Sequence, residues 1–458
     1  MNELSEQERE EVIAAIRAGR TLPARYRASL FEDALETELI WPGKITDVER
    51  TVLPFQSIEH IDEPRSGTDR QLDLFSIDSG SGRQSGGWTN KLIWGDNKLV
   101  LSSLSNGPLR EEIESAGGLK LVYIDPPFDV GADFSLNVEI GEVSVDKEAS
   151  VVEERAYRDT WGRGLDSYAQ MMYPRVQTIH DLMASDGTLF LHCDYRTSPI
   201  NRLILDEIFG RENLLNEIIW HYTGGGRSTS YFSRKHDTIF WYRKSEKHQF
   251  DVDAVRVPYK ESSGFAKGGI VSAAGKKYMP HPDGTPVDDV WDIPIINPLS
   301  HERVGYPTQK PETLLTRIIE SATSPDDLIG DFFCGSGTTL AVAEKLGRKW
   351  IGSDLGRFAI HTTRKRLISV QRELASDNKS YRAFEILNLG SYERQYFSGI
   401  DMSLPADQRE AASLQRREQF LSLILNAYGG KRSEQFAEFH GTKGSAAVFV
   451  GPLDAPVT

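Results

Sequence analysis

An apolar run, Leu121-Val122-Tyr123-Ile124, stops on Asp125-Pro126-Pro127-Phe128. Proline has no N–H for a sheet ladder and pushes the residue before it toward extended geometry, so the run reads as a buried strand entering a stiff loop. That loop offers one carboxylate, one carbonyl without a competing amide, and one flat ring at a sheet edge. Such a set suits a grip on a planar, amino-bearing base. Taken alone, the same four residues fit a plain turn equally well.

A second stretch bears on that choice. Asp327-Leu328-Ile329-Gly330-Asp331 is apolar up to its acid, Phe332-Phe333-Cys334-Gly335-Ser336-Gly337 is a Gly-x-Gly turn, and after Thr338-Thr339 a helical pattern runs from Leu340 to Leu346 and stops at Gly347. Strand, glycine turn and helix start are how open α/β sheets hold nucleoside cofactors: the glycines admit the ligand to the backbone, and the helix start supplies free N–H groups. It is not a phosphate loop, because the Gly-Lys-Ser/Thr ending is missing. Nor is it the dinucleotide fingerprint, which needs a third glycine. The next strand, 349–353, ends at Asp354, the spacing at which an acid takes ribose hydroxyls.

Together the two stretches resemble the DNA amino-methyltransferases that use S-adenosylmethionine. In that family a D/N/S-P-P-Y/F/W loop is catalytic and an F-x-G-x-G loop binds the cofactor, matched here by Asp125 to Phe128 and by Phe333 to Gly337. The catalytic motif comes first, the permuted order of the β class. Tyr306-Pro307-Thr308-Gln309-Lys310-Pro311, followed by a helical pattern over 312–321, resembles the additional cofactor motif. The likeness spans residues 90–370 and is nearest to modification subunits of type III restriction systems.

The resemblance implies an α/β, Rossmann-like class I methyltransferase fold. Its mostly parallel seven-stranded sheet would carry helices on both faces, a circularly permuted motif order, an inserted recognition segment, and N- and C-terminal extensions. It also implies roles. Asp125 and the Pro126 carbonyl would accept hydrogen bonds from the amino group of a flipped-out base, Pro127 would stiffen the loop, and Phe128 would stack on the base. Asp331 and the backbone of Phe332, Phe333, Cys334, Gly335, Ser336, Gly337 and Thr338 would hold the cofactor's amino acid portion, Asp354 its ribose and Lys310 its carboxylate. The acid at 125 points to adenine, with cytosine 4-amino transfer or a non-catalytic DNA-recognition subunit as alternatives. Expected partners are double-stranded DNA, a second copy of the chain, and a restriction or defence subunit.

Several elements must position these loops. Residues 91–94 form a strand ending in Gly95-Asp96-Asn97, and 98–104 a short helix. Asp96 suits an N-cap, while in the family this element lies beside the cofactor adenine. A helical pattern covers 168–183, a buried strand 188–194, a helix 198–209 closed by Gly210, and two pairing strands 217–222 and 238–242. His192 lacks spaced partners for a metal and reads, with Asp194, as structural or pocket-lining. Residues 357–374 read as a helix and 384–389 as a strand.

Between the paired strands, residues 223–235 combine three glycines with Arg227, Tyr231, Arg234 and Lys235, a mixture suited to DNA backbone contact and stacking. From 221 to 277 there are eleven Lys or Arg against five Asp or Glu, in a chain whose net charge is −14. The overall acidity excludes a protein that coats nucleic acid indiscriminately, so the local excess marks where DNA would lie, although a solvated face gives the same pattern.

Five segments follow: 1–88, an N-terminal extension and linker; 89–222, the catalytic half; 223–303, the DNA-contact and target-recognition insertion; 304–392, the cofactor half; and 393–458, the start of a further domain. Within them, 39–41 reads as a strand, 129–156 as aperiodic, 250–298 as irregular, 410–428 as a helix, and 446–452 as a strand at the front of a longer protein. Two cysteines, Cys193 and Cys334, offer neither a disulfide framework nor a zinc site and fit a reducing cytoplasm. No signal peptide or membrane-length apolar run is visible.

Overall fold

The computed structural model describes residues 52–63, 88–127, 135–140, 143–148, 165–224, 227–260, 262–273 and 275–389, together with 12, 13, 17, 39–41, 44, 421, 431–432, 440–443 and 446–448. Phe128, all but the first residue of the linker expected at 63–87 and most of the expected helix at 410–428 lie outside the described residues. The chain divides into two compact units, Met1–Lys44 and Ile45–Thr458. In the first, residues 39–41 form no strand. Pro42 follows them directly and has no ladder amide, and Lys44 N–H donates to the Trp41 carbonyl at 3.2 Å.

The second unit is organised on one sheet. Its strands begin with β1 (Gln56–Ile61), β2 (Asn90–Trp94) and β3 (Leu119–Ile124). A separate hairpin, β4 (Ser135–Ile140) with β5 (Val143–Glu148), stands where the sequence shows no period. The chain continues through β6 (Met183–Cys193), β7 (Leu214–His221), β8 (His236–Arg243), the small pair β9 (Ile270–Val271) and β10 (Lys277–Tyr278), β11 (Val290–Asp292), β12 (Leu328–Asp331), β13 (Lys349–Asp354) and β14 (Phe384–Asn388). A three-stranded sheet of β15 (Lys431–Arg432), β16 (Gly441–Lys443) and β17 (Ala446–Val448) follows.

The main sheet has ten strands in the order β1-β14-β2-β13-β12-β3-β6-β8-β7-β11. The resemblance implies seven strands and the sheet has ten: beside the seven from β2 to β7 in that order, β14, also read as a strand in the sequence, and β1 widen one edge and β11 the other. All neighbours from β14 to β6 run parallel, whereas β8 is antiparallel to both β6 and β7. The parallel strands read as near-continuous apolar runs because both faces are covered: Leu92, Ile93, Leu121, Val122, Ile124, Leu189, Leu191, Leu328, Ile329 and Trp350 are fully buried.

Eight helices are described: α1 (Asn97–Asn106), α2 (Leu109–Ser115), α3 (Leu165–Leu182), α4 (Ser198–Phe209), α5 (Gly264–Gly268), α6 (Glu312–Ala322), α7 (Thr338–Lys345) and α8 (Arg357–Ser376). α4 ends at Gly210, whose φ of 85° closes it as the sequence predicts. From β12 the chain crosses through α7 to β13, and from β3 through α3 to β6, which lies on the opposite side. Right-handed crossovers leaving adjacent strands in opposite directions put their helices on opposite faces and open a crevice between the two strand tips. Asp331 and Asp125 stand at those tips.

Candidate active site

The two tips meet because β12 pairs directly with β3, with Gly330 opposite Val122. β13 flanks β12 on the other side and carries Asp354 to the same edge, and β2 beyond it brings Asp96. Four acids from four separate parts of the chain therefore share one sheet edge.

The loop after β12 shows why it carries two glycines. Gly335 and Gly337 have φ of 48° and 72°, left-handed values that side chains resist. A Cβ on Gly337 would lie 2.6 Å from Thr363, whose hydroxyl donates to the Gly335 carbonyl at 3.0 Å. Gly337→Ala is thus expected to cost roughly 2–4 kcal/mol from backbone strain and overpacking, read as a fall in thermal midpoint together with lost cofactor binding. Phe332 and Cys334 turn their side chains into the core, so only their backbone can face a ligand. Phe333 N–H donates to Asp331 Oδ1 at 3.1 Å, and Ser336 and Thr338 hydroxyls lie 3.1 Å apart.

Each acid has a definite setting. Asp354 accepts Gly335 N–H and Gly356 N–H, both at 2.8 Å, and so clamps the loop. Asp96 caps α1 by accepting Lys98 N–H at 2.8 Å, and it also pairs with Arg175 at 2.8 Å. Asp331 is buried, and its carboxyl is pushed up to about 7, first by burial and then by the nearby Asp125 and Asp354 charges, against hydrogen bonds from Thr339 and Phe333 N–H.

Lys310, expected to hold the cofactor's carboxylate, stands beside the catalytic motif. Its ammonium forms an ion pair with Asp125 Oδ2, both side chains being largely buried. The third motif therefore meets the catalytic motif directly. α6 behind it is held by Glu312, which accepts from Arg366 at 2.8 Å and Lys345 at 3.0 Å. Burial would raise the Glu312 carboxyl, but these two cations hold it below the usual range. Arg366 also donates to Thr338 Oγ1 at 2.8 Å, tying α6, α7 and α8 together.

Other residues of the site escape sequence reading. Asn97 donates to the Phe332 carbonyl at 2.9 Å and accepts from Arg175, linking α1 and α3 to the cofactor loop. The available signal is Arg175 itself, a charge set among the apolar positions of α3. Tyr306 lies against Gly335 and stacks on Phe358, with ring centres 5.8 Å apart. Behind the catalytic loop, Tyr123 and buried His192 share a 2.8 Å hydrogen bond, and His192 Nε2 lies 3.3 Å from Asp237. Asp237 also accepts from Tyr222 at 3.3 Å. His192 is thus a structural link, and Asp194 is occupied by Arg196.

The loop between β7 and β8 rises from the same edge. Arg227, Tyr231 and Arg234 are exposed. The Arg234 guanidinium lies 4.0 Å from the Tyr195 ring centre and 4.8 Å from that of Tyr231, and it donates to the Tyr195 hydroxyl at 2.8 Å. Lys235 donates to the Gly224 carbonyl, bracing the base of the loop.

A parallel sheet with a topological switch, a Gly-x-Gly cradle at the switch and an acid after the next strand define a Rossmann-like nucleoside-cofactor domain of the methyltransferase type. The family model described as DNA methylase, covering N6 and N4 enzymes, matches residues 119–365. The chain belongs to that family of DNA methyltransferases, whose methyl donor is S-adenosylmethionine. It is 27% identical over 410 residues to the type II methyltransferase M.EcaI of Enterobacter cloacae, covering 76% of this chain and 84% of that protein. To the DNA adenine methyltransferase YhdJ of Escherichia coli K12 it is 26% identical over 291 residues, covering 63% and 89%. Among solved structures, the M1.HpyAVI–SAM complex covers 60% of this chain and 98% of its own, at 17% identity and a TM-score of 0.37. The cytosine-N4-specific PvuII DNA methyltransferase covers 72% and 93%, at 16% and 0.39. Among the described residues no helix is long and apolar enough to cross a membrane.

Proposed function

We propose that this chain methylates the exocyclic 6-amino group of adenine in double-stranded DNA, acting on a nucleotide turned out of the helix as the modification arm of a restriction or defence system. The observation that carries this reading is the meeting of Asp125, Lys310 and Asp331 at adjoining strand tips. A buried carboxyl raised to about 7 by burial and by two neighbouring carboxylates favours a cationic ligand. S-adenosylmethionine fits, since it carries an ammonium and a sulfonium.

When bound, the cofactor supplies an electrophilic methyl group. The chain's own residues do the rest. The adenine amino lone pair is delocalised into the ring, so catalysis is a matter of orientation. Asp125 and the Pro126 carbonyl would each accept one amino hydrogen, drawing the nitrogen toward tetrahedral geometry. Phe128 would cover the ring face. Asp331 would take the cofactor's ammonium, Asp354 its ribose, and the Asp96 element its adenine. Lys310, now paired with Asp125, would also hold the cofactor's carboxylate.

Adenine is favoured over cytosine by the acid at 125 and by a relative named as an adenine methyltransferase. The order of motifs supports the β class and kinship with type III modification subunits, and relatives named as type II methyltransferases support a restriction setting. Sequencing that detects modified bases, applied to DNA from cells expressing the chain, should show 6-methyladenine at one short motif. Cytosine marked at its 4-amino group would overturn the base assignment. DNA binding without any mark would favour a recognition module.

A further inference from the structure

Resting on that reading, we propose that Phe232 is the side chain that enters the base stack in place of the extruded target, holding the duplex open while the base occupies the Asp125 pocket.

β6 lies between β3 and β8, and the loop 222–235 joins β7 to β8 at the edge where β3 ends in Asp125. Two strand spacings put the root of the loop roughly 10 Å from the catalytic tip. Asp237, at the start of β8, already bonds to His192, which bonds to Tyr123 two residues before Asp125. A base leaving a duplex laid across this edge leaves its gap beside the loop.

The Phe232 side chain is 99% exposed. Single exposed hydrophobic residues are ordinary, and Phe250, 49% exposed, illustrates the ordinary case because its ring rests 5.3 Å from that of Trp241. Phe232 differs in being held out by a braced backbone. On one side Ser228 Oγ accepts Ser230 N–H and Tyr231 N–H at 3.2 and 3.3 Å, and Ser233 Oγ accepts Ser228 N–H at 3.0 Å. On the other, Arg234 is sandwiched between Tyr195 and Tyr231. The ring therefore projects from a fixed turn whose neighbours are cationic and aromatic.

Charge identifies the occupant of this surface. An apolar ring flanked by Arg227, Arg234 and Lys235 in a chain of net charge −14 is complementary to a polyanion with stackable interior faces, which is a duplex. A wedge that fills the vacated step retains stacking lost on extrusion and slows return of the base.

The test uses the full chain, its methyl donor, and a duplex containing the motif found by sequencing. Phe232→Ala should lower single-turnover methyl transfer at least tenfold on the intact pair. Duplex affinity should change less than threefold, and Phe232→Trp should stay near wild type. On the same duplex with an abasic site opposite the target, where extrusion is already easy, Phe232→Ala should recover to within threefold of wild type. Equal rates of wild type and Phe232→Ala on the intact duplex would overturn the proposal, as would a deficit that persists on the abasic duplex. Failure of the wild-type chain to methylate any DNA would instead strike the proposed function.

Discussion

Asp125→Ala is expected to lower the methyl-transfer rate by about 10³-fold, the scale on which loss of one preorganised hydrogen-bond partner acts in a water-excluded site. Cofactor affinity should stay within a few fold of wild type. The alanine removes Asp125's hold on Lys310, and under the proposed function that leaves the ammonium free for the cofactor's carboxylate. The two readouts separate the alternatives for this carboxylate. If Asp125 only closed a turn or anchored Lys310, transfer and cofactor binding would fall together. If it grips the amino group, single-turnover transfer collapses while the binding isotherm scarcely moves. A variant that still transfers at a tenth of the wild-type rate would remove the carboxylate from the chemistry.

Which of these residues the sequence discloses depends on whether their partners are local. Asp96 as the cap of α1 and Gly210 as the stop of α4 follow from neighbours one or two residues away. The strand ends at Ile124 and Asp331 follow from apolar runs meeting proline or glycine. The adjacency of those ends follows from motif order under the resemblance, and the β12–β3 ladder realises it. Contacts spanning the chain leave no local trace. Lys310 bonds to a residue 185 positions away, and no periodicity separates a lysine aimed at a ligand from one aimed at Asp125. Arg175 reaches Asp96 and Asn97 from α3, and the Tyr123–His192–Asp237 chain is assembled from three strands. Short edge strands are hidden for another reason. Three-residue β11 joins β7 only through tertiary pairing, and β1, mostly exposed on the outer edge beside β14, lacks an apolar run of its own.

Asp331→Asn is expected to stabilise the cofactor-free protein while weakening its hold on the cofactor, and both effects carry a pH signature. The carboxyl stands at about 7 against an ordinary 3.8, chiefly through burial, with the Asp125 and Asp354 charges adding to it. Because the folded value is the higher one, the folded chain binds more protons than the unfolded chain between 3.8 and about 7, and stability falls as pH rises through that window. Below the window the carboxyl costs nothing. Above it the difference withholds roughly 4 kcal/mol from the folded state. Asparagine cannot ionise, so the variant's thermal midpoint should exceed wild type at pH 8 and match it near pH 4. Cofactor binding has the opposite slope. Under the proposed function the cofactor's ammonium faces Asp331 and favours the ionised carboxylate, so wild-type affinity should tighten roughly tenfold from pH 6 to pH 7.5 and level off above. The Asn variant should bind about 10- to 100-fold more weakly at pH 7.5, the usual worth of a charge-assisted hydrogen bond, with a flat profile across the same range. Calorimetric titration at three pH values, alongside thermal melts of the cofactor-free protein, reads both slopes. A wild-type affinity independent of pH would mean that Asp331 faces no cation, and its burial would then serve the cofactor loop alone.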